Sequence, residues 1–281
     1  MKLLRFGEIG AEKPGVLDDE NNVRDLSDHI DDIDGRTISE EGLNYIRSID
    51  IAGLPIISAQ TRIGPCVGNV GKYVCIGLNY SDHAEEANMP IPSEPIIFFK
   101  ATSCITGPND KIILPKNSQK VDWEVELCIV MGAEARYVSE ADALEHVAGF
   151  CVANDVSERH FQLERGGQWV KGKSADSFGP IGPWLVTRDE VPNFQNLNLY
   201  LEVDGQRYQD GSTSTMIFGV SHIVSYVSHF MSLQPGDIIA TGTPPGVGMG
   251  QNPQVFLQEG QVVSASVEGL GTQKQLVVRN T

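Results

Sequence analysis

Basic residues are scarce in this chain. Among its 281 residues, 21 Lys and Arg stand against 37 Asp and Glu, which gives a formal net charge of −16. Binding to nucleic acid or to an anionic membrane needs clustered basic side chains, so we expect neither partner. A small anionic substrate stays compatible with this charge, because a bound cation makes a local site positive.

Cysteines and long apolar runs are also few. The five cysteines show no Cys-x-x-Cys spacing, and their odd number leaves at least one unpaired, which favours buried thiols in an intracellular protein. No run approaches the roughly 18 apolar residues of a membrane-spanning helix. The first residues lack the apolar stretch of a signal peptide, so we expect a cytoplasmic protein.

The apolar pattern predicts a mostly β chain with a few helices inserted between strands. This is an α+β class rather than a regular βαβ alternation. Asp204-Gly205 predicts a two-residue hairpin turn. Strand patterns cover residues 3–8, 14–17, 73–76, 96–100, 111–114, 121–131, 150–155, 197–203, 206–209, 257–267 and 273–278, and helical patterns cover 81–87, 139–144, 156–165 and 220–231.

Chain-breaking residues divide the sequence. Pro55, Gly64 and Pro65 interrupt the pattern and predict a linker at about 53–70. We therefore predict a small N-terminal α/β subdomain over residues 1–65 and a main domain over residues 70–281.

Three acidic residues alternate along the strand predicted over 121–131. Asp122, Glu124 and Glu126 would face one way, because strand side chains alternate. Neighbouring same-face glutamates lie about 7 Å apart at Cα, and in a buried site they would repel unless a cation lay between them. The alternative is the solvated polar face of an edge strand.

A further carboxylate, Asp155, ends the apolar segment 150–155. With Arg159 and Gln162 it has the i, i+4, i+7 spacing of one helical face, if 156–165 is a helix. Asp155 as a simple N-cap is the alternative, although a cap does not require Arg and Gln on its own face. Three oxygen ligands completed by water suit Mg²⁺, and the lack of a Cys or His cluster argues against zinc.

His83 and Glu86 are three residues apart on the predicted helix 81–87. At this spacing the carboxylate can orient the imidazole and raise its basicity. Such a pair can take a proton from water, a step worth roughly 10²–10⁴-fold in rate. The same spacing is also common on surface helices, so the pair alone carries no function.

Two glycine-rich segments invite a nucleotide-binding interpretation. Residues 167–174 fit the pattern G-x-x-x-x-G-K-[ST], but a polar helix precedes them and a proline-containing segment follows, so a phosphate loop is disfavoured. Residues 241–250 do not fit the dinucleotide pattern. They suggest a rigid loop that brings backbone N–H groups and Thr243 to a ligand carboxylate.

Several motifs follow one another between Lys72 and Val278, and together they resemble the fumarylacetoacetate hydrolase family. The resemblance implies a catalytic domain with the family's mixed β-roll, usually assembled as a homodimer. The motifs are Ile76-Gly77-Leu78-Asn79-Tyr80 followed by His83, the run from Pro95 to Lys100, Glu124-x-Glu126, Asn154-Asp155-x-Ser157-x-Arg159, Gly172-Lys173-Ser174, and residues 235–243.

The resemblance also implies roles for individual residues. By position, the metal ligands would be Glu124, Glu126 and Asp155. The water-activating pair on a mobile lid would be His83 and Glu86, and Lys173 would neutralise negative charge that develops on the substrate. The substrate contacts would be Tyr80, Arg159, Gln162 and Thr243.

These residues fit hydrolysis of a C–C bond in a 2,4-dioxo acid, either an acylpyruvate or a 2,4-diketo-3-deoxy sugar acid. Such an oxo-acid offers two oxygens to Mg²⁺, or to Mn²⁺, which accepts the same ligands. Water activated by His83 would attack the distal carbonyl. The same centre also suits an oxaloacetate decarboxylase, a dienedioate isomerase or a ureidoglycolate lyase, and a non-catalytic oxo-acid binder is a further alternative.

Overall fold

The computed structural model describes residues 1–86 and 89–280, and it confirms the predicted α+β class. Its α-helices are α1 (Glu40–Arg47), α2 (Ser81–Glu86), α3 (Arg159–Leu163), α4 (Val170–Lys173) and α5 (Val220–Ser228). Its strands are β1 (Lys2–Phe6), β2 (Lys13–Leu17), β3 (Val23–Asp25), β4 (Tyr73–Gly77), β5 (Ile96–Lys100), β6 (Ile105–Thr106), β7 (Ile112–Leu114), β8 (Val121–Asp122), β9 (Val125–Met131), β10 (Val147–Asn154), β11 (Ser157–Glu158), β12 (Gly179–Thr187), β13 (Asn198–Val203), β14 (Gln206–Ser212), β15 (Ile238–Ala240), β16 (Val262–Val267) and β17 (Gly271–Arg279).

Ten strands form the main sheet, in the order β3-β2-β1-β12-β10-β9-β15-β4-β5, with β6 paired to β12. A five-stranded sheet, ordered β14-β13-β16-β17-β7, packs against its centre. Every residue of β9 and β10 is buried, because both strands lie between neighbours and beneath the second sheet. Their near-continuous Val, Ile and Leu content is typical of strands that are covered on both faces.

The N-terminal strands extend the main sheet. Lys2 and Leu3 of β1 pair with Val186 and Leu185 of β12 in an antiparallel ladder. The segment predicted as a linker makes two isolated bridges, one of which joins Ile63 to Phe6. The division at residues 65–70 stays a prediction.

The strand predicted over 121–131 is interrupted at two residues, so that prediction was wrong as a continuous element. β8 pairs with β11 and β9 pairs with β10, and Trp123 and Glu124 lie between them. At these two residues, side-chain oxygens accept the hydrogen bonds of the backbone N–H groups. Trp123 N–H donates to Asp122 Oδ1 (2.8 Å), and Glu124 N–H donates to Asn154 Oδ1 (3.1 Å). Local side-chain acceptors of this kind compete with a regular ladder.

The prediction of a helix over 156–165 was also wrong for the first turn. Ser157 and Glu158 form β11, and the helix begins only at Arg159. Asp155 therefore does not share a helical face with Arg159. The Glu158 side chain caps the shorter helix by accepting the Phe161 N–H at 2.6 Å.

Of the other three helix predictions, two were confirmed with changed bounds and one was wrong. Residues 220–231 contain α5, and 81–87 contain α2, although Ala87 lies outside the described residues. Residues 139–144 were predicted as an α-helix but form turns followed by a 3₁₀ helix over Ala143–His146. Within residues 1–86 and 89–280, no helix is long and apolar enough to cross a membrane.

Candidate active site

Three buried carboxylates converge where β9 and β10 meet. Glu124, Glu126 and Asp155 each place an oxygen within 4.8 Å of the other two. Their residues are 7%, 2% and 0% exposed, which excludes the solvated face of an edge strand. Among the described residues, no other cluster of three His, Cys, Asp or Glu side chains is compact enough to hold a metal ion.

The strand register brings these carboxylates together. Asn154 at the end of β10 is the antiparallel partner of Val125 at the start of β9. The chain continues one residue beyond each strand, where Asp155 N–H donates to Glu124 O at 2.9 Å. Residues that end one antiparallel strand and begin its neighbour lie at the same edge, so sequence-distant acids become neighbours.

Three cationic side chains neutralise two of the three acids. Lys173 Nζ lies 2.7 Å from both Glu124 Oε2 and Asp155 Oδ2. Lys100 pairs with the other oxygen of Asp155, and Arg159 Nη1 lies 2.7 Å from Glu124 Oε1. Glu126 forms no ion pair within the described part of the chain; its Oε2 accepts the Gly242 N–H at 2.8 Å.

The pKa values of the two glutamates consequently diverge. Burial raises the pKa of Glu124, but Lys173 and Arg159 outweigh it and lower this pKa to about 2. Burial, with repulsion from Asp155 and Glu124, raises the pKa of Glu126 well above its usual value. The pKa of Lys173 is raised because attraction to Asp155 and Glu124 exceeds the burial penalty.

The donor set fits a hard divalent cation. It consists of carboxylate oxygens without sulfur or imidazole, which is the ligand preference of Mg²⁺ and Mn²⁺. Glu126 is buried beside two other acids and has no cationic partner among the described residues, so burial and then repulsion from Asp155 and Glu124 raise its pKa. A divalent cation among Glu124, Glu126 and Asp155 would compensate their negative charge, so these residues match the group that the sequence predicts.

His83 and Glu86, both on α2, form a hydrogen-bonded pair. His83 Nδ1 lies 3.0 Å from Glu86 Oε2, and the two side chains are 14% and 21% exposed. The other oxygen, Glu86 Oε1, accepts the Gly246 N–H at 2.9 Å. The pair is therefore fixed to a distant loop, which distinguishes it from an ordinary His-x-x-Glu on a surface helix.

Two predicted substrate contacts carry unpartnered polar atoms. The Tyr80 hydroxyl and Arg159 Nη2 are buried and have no hydrogen-bond partner among residues 1–86 and 89–280. Arg159 Nη1 also donates to Gln162 Oε1 at 3.1 Å, so helix spacing does join these two residues. Burial, with repulsion from Glu126, raises the pKa of Tyr80 well above its usual value, which keeps the hydroxyl a donor.

Thr243 is engaged within the protein. Its hydroxyl donates to Val125 O (2.8 Å) and accepts from Gln209 Nε2 (2.7 Å). These bonds tie the loop to β9, and contact of Thr243 with a substrate stays a prediction.

The sequence assigned no role to two residues that belong to this site. Lys100 contacts Asp155 from the end of β5, and Asp122 accepts Arg159 Nε at 2.7 Å. The alternation that selected Glu124 and Glu126 also selected Asp122, so the signal existed. Nothing in the local sequence around Lys100 indicated its partner, because the ion pair spans 55 positions.

The segment 167–174 has no phosphate-loop geometry. α3 precedes it, and α4 spans only Val170–Lys173 before the chain enters β12. Lys173 points to Glu124 and Asp155, as the ion pairs show. The strand–loop–helix arrangement that a phosphate loop requires does not occur here.

Solved structures with this architecture come from several bacteria. A fumarylacetoacetate hydrolase from Exiguobacterium antarcticum is 34% identical, with a TM-score of 0.87 and full coverage of both chains. A maleylpyruvate hydrolase from Sphingobium sp. SYK-6, in complex with manganese(II) and pyruvate, is 27% identical with a TM-score of 0.84 and the same coverage. A 2-hydroxyhepta-2,4-diene-1,7-dioate isomerase from Mycobacterium marinum is 34% identical, with a TM-score of 0.78, over 100% of this chain and 99% of that one.

Sequence comparison agrees with the structural likeness. A protein of Burkholderia lata named "Putative hydrolase" is 61% identical over 276 residues, which are 98% of each chain. Residues 72–278 match the family described as Fumarylacetoacetate (FAA) hydrolase C-terminal. This match covers the segment that contains all the motifs and every predicted site residue, and with it the chain belongs to the fumarylacetoacetate hydrolase family of enzymes.

Proposed function

We propose that the protein is a divalent-metal-dependent hydrolase that cleaves a C–C bond in a 2,4-dioxo acid. The products are pyruvate or a related oxo-acid and a carboxylic acid. The observation that carries this proposal is the buried triad of Glu124, Glu126 and Asp155, with Lys173 beside it. The loop after β15 links the triad to the His83–Glu86 pair, because its backbone donates to both Glu126 and Glu86. The relative solved with manganese and pyruvate supports the same chemistry.

The three carboxylates would hold Mg²⁺ or Mn²⁺. When bound, the cation supplies Lewis-acid polarisation of the oxo-acid oxygens. Lys100 forms an ion pair with Asp155 Oδ1, and this contact fixes the orientation of the Asp155 carboxylate. This support is typical of partners that orient metal ligands.

His83 has the geometry of a general base. A carboxylate is an acceptor, so the proton between His83 Nδ1 and Glu86 Oε2 belongs to the imidazole in its neutral form. Nε2 is then the free acceptor that takes a proton from water. Glu86 stabilises the imidazolium that results, as an orienting carboxylate does in other His-based sites.

Arg159, Lys173 and Tyr80 would position the oxo-acid. Arg159 Nη2 and the Tyr80 hydroxyl are buried donors without a partner in the described part of the chain, and a bound carboxylate or carbonyl would accept their hydrogen bonds. Lys173 contacts Glu124 and Asp155 and would offer positive charge to the substrate oxygens that become negative. Such stabilisation accelerates a reaction when the charge develops only in the transition state.

The reaction balances without a redox partner. Water gives its proton to His83, and its oxygen adds to the carbonyl carbon distal to the oxo-acid. The bond between that carbon and the methylene carbon breaks, and its electron pair stays with the methylene carbon. Protonation of that carbon gives a methyl ketone, so R–CO–CH₂–CO–COO⁻ and water become R–COOH and pyruvate.

A dienedioate isomerase is the second candidate, because a solved isomerase is 34% identical over the full chain. Isomerisation moves a proton between carbons and consumes no water. A water-activating base is the additional requirement of hydrolysis, and the His83–Glu86 pair meets it. This pair favours the hydrolase.

The experiment uses chelator-stripped protein, before and after addition of Mg²⁺ or Mn²⁺. Ultraviolet loss of acetylpyruvate, fumarylpyruvate and a 2,4-dioxo sugar acid is followed together with pyruvate release. Stoichiometric pyruvate only with metal supports the hydrolase. Isomerised product without pyruvate, or decarboxylation of oxaloacetate instead, overturns it.

His83→Ala separates a catalyst from a binder. We expect turnover to fall by roughly 10²–10⁴-fold while oxo-acid binding persists. His222→Ala is the matched control, since His222 forms a comparable pair with Glu140 (2.7 Å) on the surface. Equal activity of both variants would contradict the assigned base.

A further inference from the structure

The loop after β15 holds three of the protein's own carboxylates, whereas the sequence suggested that it would hold a ligand. Each carboxylate is received by backbone N–H groups, and each belongs to a different part of the candidate site. Gly242 N–H donates to Glu126 (2.8 Å), Gly246 N–H to Glu86 (2.9 Å), and Gly248 and Met249 N–H donate to Asp122 (2.6 and 2.9 Å).

Each carboxylate oxygen of Asp122 accepts two hydrogen bonds. It is fully buried, and its Oδ1 accepts the Trp123 and Gly248 N–H groups. Its Oδ2 accepts the Met249 N–H and Arg159 Nε at 2.7 Å. A buried carboxylate with four donors is a rigid junction, because loss of any one partner leaves a buried polar group unpaired.

The junction connects two halves of the site. On one side, Arg159 bonds to Asp122 through Nε and to Glu124 through Nη1. On the other side, the loop that Asp122 holds donates to Glu86, which in turn pairs with His83. Contacts therefore run without a break from a candidate metal ligand to the candidate base.

The loop glycines permit this close approach. A Cβ atom on Gly248 would lie 2.8 Å from Asp122 Oδ1 and 2.0 Å from Val255 O. A Cβ on Gly250 would lie 2.9 Å from the carboxyl carbon of Glu86. Any larger residue would push one of these carboxylates away.

We propose that Asp122 is a positioning residue, which holds the Gly242–Met249 loop against Arg159 and thereby fixes Glu86 and His83 relative to the carboxylate triad. This inference rests on the proposed function for its kinetic consequence, but its structural part does not. Asp122 would act through the loop and Arg159 without touching the reacting atoms. A displacement of about 1 Å at the base is enough to cost about 10²-fold in rate.

The first test replaces Asp122 by Asn, which keeps the size and exchanges one acceptor for a donor. In Asp122→Asn we expect faster amide hydrogen exchange over 244–251 and over α2. We also expect kcat to fall about 10²-fold, while KM changes less than about threefold. A merely structural role would lower stability without this kcat-against-KM split.

Asp237→Asn is the matched control. Asp237 is equally buried and accepts two backbone N–H groups and one cation, from Lys72 and Gln234, outside the candidate site. We expect it to lower stability but to leave exchange over α2 and kcat unchanged. Identical effects of both variants would overturn the proposal.

Gly250→Ala tests the Glu86 end of the same chain of contacts if Asp122→Asn does not fold. The three atoms nearest to the new methyl group are the carboxylate atoms at the flexible end of Glu86, at 2.9–3.1 Å, so the chain should fold with that carboxylate displaced. We expect the same kcat loss and faster exchange over α2, and unchanged exchange there overturns the proposal. If the native protein turns over none of the dioxo acids, the proposed function fails, while the exchange measurement still decides the role of Asp122.

Discussion

At the scale of single residues, Lys173 joins two acids that would otherwise repel. Its ammonium group contacts Glu124 and Asp155 and lies 5.1 Å from the centre of the Phe98 ring. Lysine is rarely this buried without partners of opposite charge. The same ammonium group stabilises the metal-free fold and, in the proposed function, would also offer positive charge to a substrate.

Lys173→Met should destabilise the metal-free protein by about 3 kcal/mol, because it leaves buried carboxylates under-compensated. Added Mn²⁺ should recover much of that loss, since a ligand that binds only the folded state stabilises it. Urea unfolding with and without Mn²⁺ measures both effects. Lys120→Met is the control, as Lys120 pairs with Glu164 in an exposed position where a salt bridge is worth about 0–1 kcal/mol; equal losses would contradict the account.

Glu126 should make metal affinity depend on pH. Its raised pKa means that metal-free protein retains a proton on Glu126 at a pH where an ordinary glutamate has lost it. A cation must displace that proton, so Mn²⁺ affinity should rise as pH rises towards this pKa, with release of about one proton. Glu124, whose pKa is lowered to about 2, should release none.

Calorimetric titration of Mn²⁺ in two buffers of different ionisation enthalpy measures this release. Glu126→Gln should weaken binding and abolish the proton release together. Proton release that persists in Glu126→Gln would assign it to another group.

At the scale of elements, local sequence predicted those segments whose structure is decided locally. Asp204 and Gly205 have φ angles of 52° and 80°, as a two-residue hairpin turn with left-handed positions requires. β5 was predicted with the bounds Ile96–Lys100 that the structure shows. Alternation and turn chemistry were sufficient in both places.

Gly205→Ala should cost about 1 kcal/mol in the free energy of unfolding, because alanine is strained at positive φ. Nothing lies within 4 Å of the added methyl group, so the cost is conformational only. Urea unfolding is compared with that of Gly53→Ala, a glycine without positive φ whose added methyl group would lie 3.1 Å from the mobile carboxylate end of Asp50. No difference between the two variants would contradict the assigned turn.

Where the predicted secondary structure was wrong, contacts between residues far apart in the sequence determine the observed structure. The helix pattern over 156–165 lost its first turn because Ser157 and Glu158 pair with β8, and Lys100 donates to Val156 O at 3.1 Å. Glu124 does not belong to a strand because its backbone N–H donates to the Asn154 side chain and not to a neighbouring strand. No local pattern records partners 30 or 56 positions away. The acids of the site were found by residue type and resemblance, whereas their mutual arrangement needed the fold.

At the scale of the whole molecule, the N-terminal residues and the candidate site share one sheet. β1 covers the edge of β12, and Arg62 forms a double hydrogen bond with Asp110 at 2.8 and 2.6 Å. Removal of residues 1–65 would expose β12 and leave Asp110 without this partner. An uncovered strand edge promotes aggregation.

The fragment 70–281 should therefore aggregate or unfold at a lower temperature than the full chain. Size-exclusion chromatography and thermal unfolding of both proteins measure this. A fragment that stays monodisperse and unfolds at the temperature of the full chain would support a separate domain over 70–281 and contradict the expectation drawn from the shared sheet.

The proposed function depends on a divalent cation held by Glu124, Glu126 and Asp155. The most direct measurement is diffraction from crystals soaked in Mn²⁺, recorded on both sides of the manganese absorption edge. In crystals of the native protein we expect one anomalous peak surrounded by oxygens of all three carboxylates. In crystals of Glu126→Gln, soaked at the same low Mn²⁺ concentration, we expect no peak at that place. A peak elsewhere, or none at the triad in the native protein, would contradict it.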